Sequence, residues 1–303
     1  MVIAATGFFD GVHIGHRAVL SALSSLAERE GANSMVITFW PHPRAVLQSD
    51  AIKFRLLNSF EEKKELIFDC GIDRVHVLSF TREFSQMSTK EFITDCLQSR
   101  YGITHLVVGY DHKIGHDAMC LEELMKETGI NLIRIKEALC DGRVVSSTKI
   151  REAIEMGDME QANRWLDYLY PLHGVVVEGN RIGRTIGFPT ANMHLYEPLK
   201  QLPAEGVYVV EVAHMGKQYY GMMNIGCRPT LKGAHDKVIE TNIFDFDFDI
   251  YGLPITVYPL HRLRAERPFV SFNALSEQLV KDRAAAINWL KKKRSTFKTV
   301  SYI

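Results

Sequence analysis

Thr6-Gly7-Phe8-Phe9-Asp10-Gly11-Val12-His13-Ile14-Gly15-His16 follows an apolar run, Val2-Ile3-Ala4-Ala5, and precedes Val19, Leu20, Leu23, Leu26 and Ala27. The run suits a buried parallel strand and the later residues recur at helical spacing, so the quoted segment is a strand-to-helix turn. A helix N-terminus offers unpaired N–H groups and partial positive charge, and glycines let backbone come close to an anion. His13 and His16, at i and i+3, can face one ligand. The segment therefore predicts a phosphate-handling turn. A well-packed turn with satisfied histidines is the plainer alternative, and a metal site is weaker still, because no Cys or carboxylate set stands nearby at zinc spacing.

Working outward, apolar β-rich runs at 35–39, 75–80, 106–109 and 132–135 alternate with helical stretches up to about residue 160. Such alternation predicts a doubly wound parallel sheet covered by helices, with ligands at the carboxyl ends of its strands. Thr38-Phe39-Trp40-Pro41-His42-Pro43 and Gly109-Tyr110-Asp111-His112 also follow strands and are expected near the same crevice. Beyond Leu172 the pattern changes to shorter runs at 174–178, 207–213, 219–224, 238–244 and 255–259, punctuated by Gly and Pro. These predict an antiparallel barrel, and residues 271–293 predict a closing helix. The expected division is 1–168 and 169–303.

The length of 303 residues suits two domains with separate cores. Thirty-six basic and 36 acidic side chains cancel. No global field draws the chain to nucleic acid or a membrane surface, so neither is an expected partner, and an anionic ligand must be met by local groups. Five scattered cysteines without a Cys-x-x-Cys pair fit a reducing cytoplasm. No secretory signal or membrane-length apolar stretch is read, and the oligomeric state is left open.

Ser146-Ser147-Thr148-Lys149-Ile150-Arg151 precedes a helical stretch, where a hydroxyl can cap the helix and the Arg151 fork can hold phosphate. With the histidine turn it forms a set suited to a polyphosphate. Transfer between phosphates needs no nucleophilic side chain, only alignment and charge stabilisation. In the second half, Gly179-Asn180-Arg181-Ile182-Gly183-Arg184-Thr185-Ile186-Gly187-Phe188-Pro189-Thr190-Ala191-Asn192 is a basic glycine loop joined to a Pro-Thr-Ala-Asn segment. Gly179 and Gly183 offer backbone amides, Arg184 offers charge, and Thr190 and Asn192 offer hard oxygens of the kind magnesium takes beside phosphate. A Gly/Pro-rich barrel loop is the plainer alternative. Glu240, in a strand-like run, is a candidate base toward an alcohol or a solvent-facing strand residue.

The His-x-Gly-His turn with the later Ser-Ser-Thr-x-Ile-Arg resembles nucleotidyltransferases. More narrowly, residues 7–16, 38–43, 84–88 and 146–151 resemble the FAD synthetase half of bacterial bifunctional riboflavin kinase/FAD synthetases. Residues 187–192, 205–208, 224–230, Ile239-Glu240 and Leu263-Arg264-Ala265-Glu266 resemble the riboflavin kinase half, a Greek-key β-barrel. The resemblance implies that ATP and riboflavin give FMN at the barrel, and that ATP and FMN give FAD and pyrophosphate at the α/β domain, both with Mg²⁺. It implies that His13 and His16 stabilise the phosphates in transit, with Gly7, Phe9, Gly15, Ser147, Thr148 and Arg151 around ATP and Asp111 on the flavin side. In the barrel it implies Thr190 and Asn192 toward Mg-ATP, Glu240 as general base, and Arg264 and Glu266 bordering the flavin. The chain departs from the family pattern at Trp40 and across residues 112–120. A riboflavin kinase with a silent first domain, and a regulator that binds flavin and nucleotide without turnover, are the alternative readings.

Overall fold

The computed structural model describes residues 1–47, 54–117, 119–179, 182–229 and 235–300. Asn180, Arg181, Ala118 and Thr230, which belong to segments read above, lie outside the described residues. Contacts divide the chain into two compact units, residues 1–149 and 150–303.

The first unit runs β1 (Val2–Thr6), α1 (Ile14–Arg29), β2 (Asn33–Trp40), α2 (Pro43–Leu47), α3 (Phe60–Phe68), β3 (Arg74–Ser79), α4 (Thr89–Glu91), β4 (Ile103–Val108), α5 (Leu121–Thr128) and β5 (Asn131–Arg134). A π-helical stretch, Phe92–Arg100, continues α4. All neighbours in the sheet are parallel, in the order β3-β2-β1-β4-β5. The apolar runs of β1 and β2 reflect burial on both faces, whereas the edge strands β3 and β5 are mostly half-buried or exposed. Ile3 and Ala5 pack with Leu20 and Leu23 of α1, while Ala4 between them packs with Leu124 of α5 and Leu97 of the π-helical stretch. Period-two alternation on a strand covered on both sides produces this split. Each fully buried leucine of this kind contributes about 1.5–3 kcal/mol.

A ribbon of β6 (Leu139–Cys140) and β7 (Arg143–Val144) leads to α6 (Ser147–Met156), which runs on into the second unit. There follow α7 (Met159–Leu166), β8 (Leu172–Val177), α8 (Ile182–Thr185), β9 (Ala191–Leu195), β10 (Gly206–His214), β11 (Lys217–Pro229), β12 (His235–Ile243), β13 (Pro254–Ala265) and α9 (Phe272–Val300). Six antiparallel strands close a barrel in the order β10-β11-β12-β9-β8-β13. Closure leaves no unpaired sheet edge. The expected doubly wound sheet, barrel and final helix are all present. The strand β9 is the barrel strand not read from the sequence: Ala-Asn-Met-His-Leu is short and half polar, and its first two residues are the end of the segment read as a loop.

Candidate functional sites

The first site begins at the carboxyl end of β1. Phe9, Gly11 and Val12 adopt φ of 50°, 88° and 35°, so three of four consecutive residues lie in the left-handed region. For the β-branched Val12 this conformation is strained, and surrounding structure has to hold it. Two contacts do so: Leu57 N–H donates to Asp10 Oδ1 at 3.2 Å, and Ser147 Oγ donates to the Asp10 carbonyl at 2.8 Å. The Gly7 N–H donates to Ile37 O of β2 at 3.1 Å.

His13 is the N-cap of α1, and its Nδ1 accepts the Gly15 N–H at 3.2 Å. An accepting Nδ1 carries no proton, so a neutral His13 holds its proton on Nε2. Gly15 packs tightly in this arrangement, since a Cβ there would stand 3.1 Å from the His13 ring. His16 stacks on His13 with ring centroids 3.7 Å apart and planes 20° apart. Burial drives the His16 pKa well below its usual 6.5, and positive charge at His13, Lys63 and His112 drives it further. At neutral pH His16 is an uncharged hydrogen-bonding group, and its Nδ1 is buried without a partner among the described residues.

Of the other residues expected here, Thr148 is exposed in the first turn of α6. Ser147 serves the turn rather than standing open, while Ser146 Oγ accepts the Lys149 N–H at 3.4 Å as the helix cap. Arg151 is one turn beyond Ser147 on the same helix. Asp111 is exposed on the loop after β4, whose neighbouring carbonyls, Gly109 and Tyr110, both accept from Arg134 at 3.2 Å. The sequence reading passed over Lys63, whose ammonium is buried beneath the turn.

In the barrel, register places Glu240 of β12 directly between Asn224 of β11 and Asn192 of β9. Directly opposed residues share a face, and all three line one cavity of about 370 Å³. Asn242, two residues along, is on the same face and donates to the Pro189 carbonyl at 2.7 Å, which fixes the Pro-Thr-Ala-Asn segment. Gly179 has a specific use: a Cβ there would run into the Asn192 amide. Likewise Gly183 gives room to the Phe188 carbonyl. The apolar wall includes Phe188, Val207, Met222 and Leu279.

Arg264 and Glu266 line the same cavity. The Arg264 guanidinium is engaged by Asp282 at 2.9 Å, so it builds the wall, and the Glu266 carboxylate lies against Gly226. A second, smaller cavity of about 90 Å³ is lined by Arg184, Thr190, Thr241, Phe246, Phe248 and Tyr251, among others. Thr190 borders both cavities. The aromatic members of the second cavity were not singled out in sequence. Their closely spaced pattern, Phe-Asp-Phe-Asp-Phe at 244–248, is the signal that could have found them.

Comparison with known proteins assigns both halves. The FAD synthetase family matches residues 1–149 and the riboflavin kinase family residues 166–290. The bifunctional riboflavin kinase/FMN adenylyltransferase of Bacillus subtilis (strain 168) is 36% identical over 295 residues, 95% of this chain and 92% of that protein. The enzyme of the same description from Escherichia coli (strain K12) is 34% identical over 290 residues, 94% and 91% of the two chains. The crystal structure of a macrolide-efflux protein from Streptococcus pneumoniae superposes with a TM-score of 0.88 at 32% identity, over 95% of this chain and 94% of that one. Efflux is said of that protein; no helix among the described residues here is long and apolar enough to cross a membrane. Two sites in two units, matched in order along almost the whole sequence, place this chain in the bifunctional riboflavin kinase/FMN adenylyltransferase family.

Proposed function

We infer that the chain makes FMN from riboflavin at the barrel and FAD from FMN at the parallel-sheet unit. The observation that carries the kinase assignment is the row Asn224, Glu240 and Asn192 across three strands, facing a cavity that shares Thr190 with the smaller one. The larger, mostly apolar cavity takes the flavin, and the smaller one, with Arg184 and aromatic walls, takes ATP. The riboflavin hydroxyl oxygen attacks the γ-phosphorus, the bond from that phosphorus to the β–γ bridging oxygen breaks, and ADP leaves. Glu240 accepts the hydroxyl proton, a role worth about 10²–10⁴-fold in rate.

Thr190 Oγ1 and the Asn192 side-chain oxygen are the groups that would hold Mg²⁺. Among the described residues no cluster of three His, Cys, Asp or Glu offers an all-protein cage. A pair of hard oxygens fits Mg²⁺, which completes its shell with phosphate and water. When bound, the ion supplies neutralisation of charge on the transferring phosphates.

In the first unit an FMN phosphate oxygen attacks the α-phosphorus of ATP, the α–β bridging bond breaks, and pyrophosphate leaves. His13 and His16, with Gly7, Phe9 and Gly15, position the phosphates, while Ser147 holds the turn. Thr148 and Arg151 on α6 serve the triphosphate, and Asp111 serves the flavin side. We divide the two activities at 168/169. Five unpaired thiols support a reducing cytoplasm.

The test is chromatography of flavins after incubation with riboflavin, ATP and Mg²⁺. The expected outcome is FMN followed by FAD; Glu240→Gln should stop the first step and spare conversion of supplied FMN, and His16→Ala should do the reverse. Riboflavin phosphorylation at full rate by Glu240→Gln would refute the base assignment.

A further inference from the structure

Lys63 is 5% exposed, on the face of α3 that meets the ends of β1 and β2. Its Nζ donates to Phe8 O at 3.2 Å, Thr38 Oγ1 at 3.1 Å and Phe39 O at 3.4 Å. The Trp40 ring centroid is 5.6 Å away, a cation–π distance. Phe8 belongs to the histidine turn, and Thr38, Phe39 and Trp40 form the end of the neighbouring strand. One ammonium therefore ties together two strand ends at the edge of the sheet where ligands of such folds collect.

All three acceptors are uncharged oxygens, so they satisfy the donors without neutralising the charge. Burying a cation in this way is costly. Burial lowers the Lys63 pKa to about 8, with Asp10 opposing the shift. The adenylyl-transfer site must meet the several negative charges of ATP and FMN, yet His16 is uncharged at neutral pH. Beside Arg151 of α6, positive character at the histidine turn itself then comes from the N-terminus of α1 and from Lys63.

We propose that Lys63 is a positioning residue for adenylyl transfer, fixing the Phe8–Asp10 turn against the end of β2 and supplying fixed positive charge behind the two histidines. The proposal rests on the assignment of FAD formation to this unit. The titratable groups coupled to Lys63 are Asp10 and His16 of the turn, with Glu62 beside it on α3; His13 of the turn and His112 of the loop after β4 act in turn on His16.

The test compares the full chain with Lys63→Met, which keeps length and loses charge, and Lys63→Arg, which keeps charge. FAD formation from FMN is followed from pH 6.5 to 9.5, the His16 ring is titrated by NMR, and riboflavin phosphorylation checks the second unit. Lys63→Met should lower kcat for FAD formation at least tenfold, with KM for ATP changed less. Lys63→Arg should recover most of the loss, and riboflavin phosphorylation should hold. The wild-type rate should fall above pH about 8, and that alkaline limb should vanish in Lys63→Met. Loss of the nearby positive charge should also raise the His16 pKa. An unchanged rate in Lys63→Met, equal loss in both variants, or a persisting alkaline limb would each overturn the proposal. If the wild-type protein makes FMN and no FAD, the functional reading falls separately; the His16 titration still decides, and an unmoved midpoint rejects Lys63 as its electrostatic partner.

Discussion

Arg264 of β13 holds Asp282 of α9 through three hydrogen bonds, of 2.9, 3.0 and 3.2 Å. Asp282 is 4% exposed and also accepts from Gln278 Nε2 at 2.7 Å, while Gln278 accepts from Arg267 at 2.6 Å. The network joins the barrel to the helix that contributes Leu275 and Leu279 to the larger barrel cavity, the one proposed for flavin. Asp282→Asn leaves Arg264 without its counter-charge. We expect a loss of roughly 3 kcal/mol in the second unit, the lower end for breaking a buried pair because Arg264 keeps some solvent. Denaturant unfolding measures that loss, and steady-state kinetics should give a several-fold higher KM for riboflavin with KM for ATP held.

Gly179 and Asn192 cannot both keep their places once a Cβ is added, because that atom would stand 2.7 Å from Asn192 Oδ1. Asn192 is a proposed Mg²⁺ ligand, and displacing such a ligand's support typically costs 10–100-fold in metal affinity. Gly179→Ala should therefore raise the Mg²⁺ concentration for half-maximal riboflavin phosphorylation by about tenfold. A magnesium titration of both half-reactions checks this, with FAD formation from FMN expected to keep its wild-type curve.

His112 supplies a pH dependence of stability. Burial lowers its pKa from 6.5 to about 4, with Asp111 raising it and Arg134 lowering it. Its Nε2 is buried without a hydrogen-bond partner among the described residues. Between pH about 6.5 and about 4 the unfolded chain binds a proton that the folded chain refuses, so stability falls as pH falls through this window. Above about 6.5 neither form is protonated, and the contribution is complete. The expected loss is on the order of 3 kcal/mol at the acid end. Unfolding curves at pH 7.5 and 5 should differ less in His112→Phe than in the wild type.

Folding and activity need not share a boundary. Asn163 of α7 donates to Pro259 O of β13 at 3.0 Å and accepts the Tyr170 N–H at 2.9 Å, and Glu160 meets His261 at 2.8 Å. Met159, Ala162, Trp165 and Leu166 of that helix are buried. A fragment of residues 150–303 keeps these contacts, whereas 169–303 uncovers the strand beneath. The longer fragment should phosphorylate riboflavin and melt as one transition. The shorter one should melt at lower temperature or aggregate, as light scattering during the melt would report.

Much of the fold was legible because parallel strands buried on both faces are apolar runs, and the barrel strands carry β-branched and aromatic residues between Gly and Pro. The histidine turn was legible because its glycines and its place between strand and helix are local properties. Other features were not. Nothing in the charged run Glu-Glu-Lys-Lys-Glu at 61–65 marks Glu62 and Lys63 apart from their neighbours, yet these two are buried. The Ser-Ser-Thr segment offered three hydroxyls alike in sequence, yet that of Ser147 donates to the Asp10 carbonyl.

From sequence alone came the two domain types, most of their strands in order, the two motif sets and hence the family, since each depends on neighbours within a few residues. Tertiary structure decided that Glu240 stands between Asn192 and Asn224, that Thr190 borders two cavities, that His16 is uncharged at neutral pH, and that Lys63 is sealed under the turn. Strand register, burial and charge coupling are relations between residues far apart in the chain. They exist only once the sheet is covered and the barrel closed, because only then does water leave the site and electrostatic interaction within it strengthen.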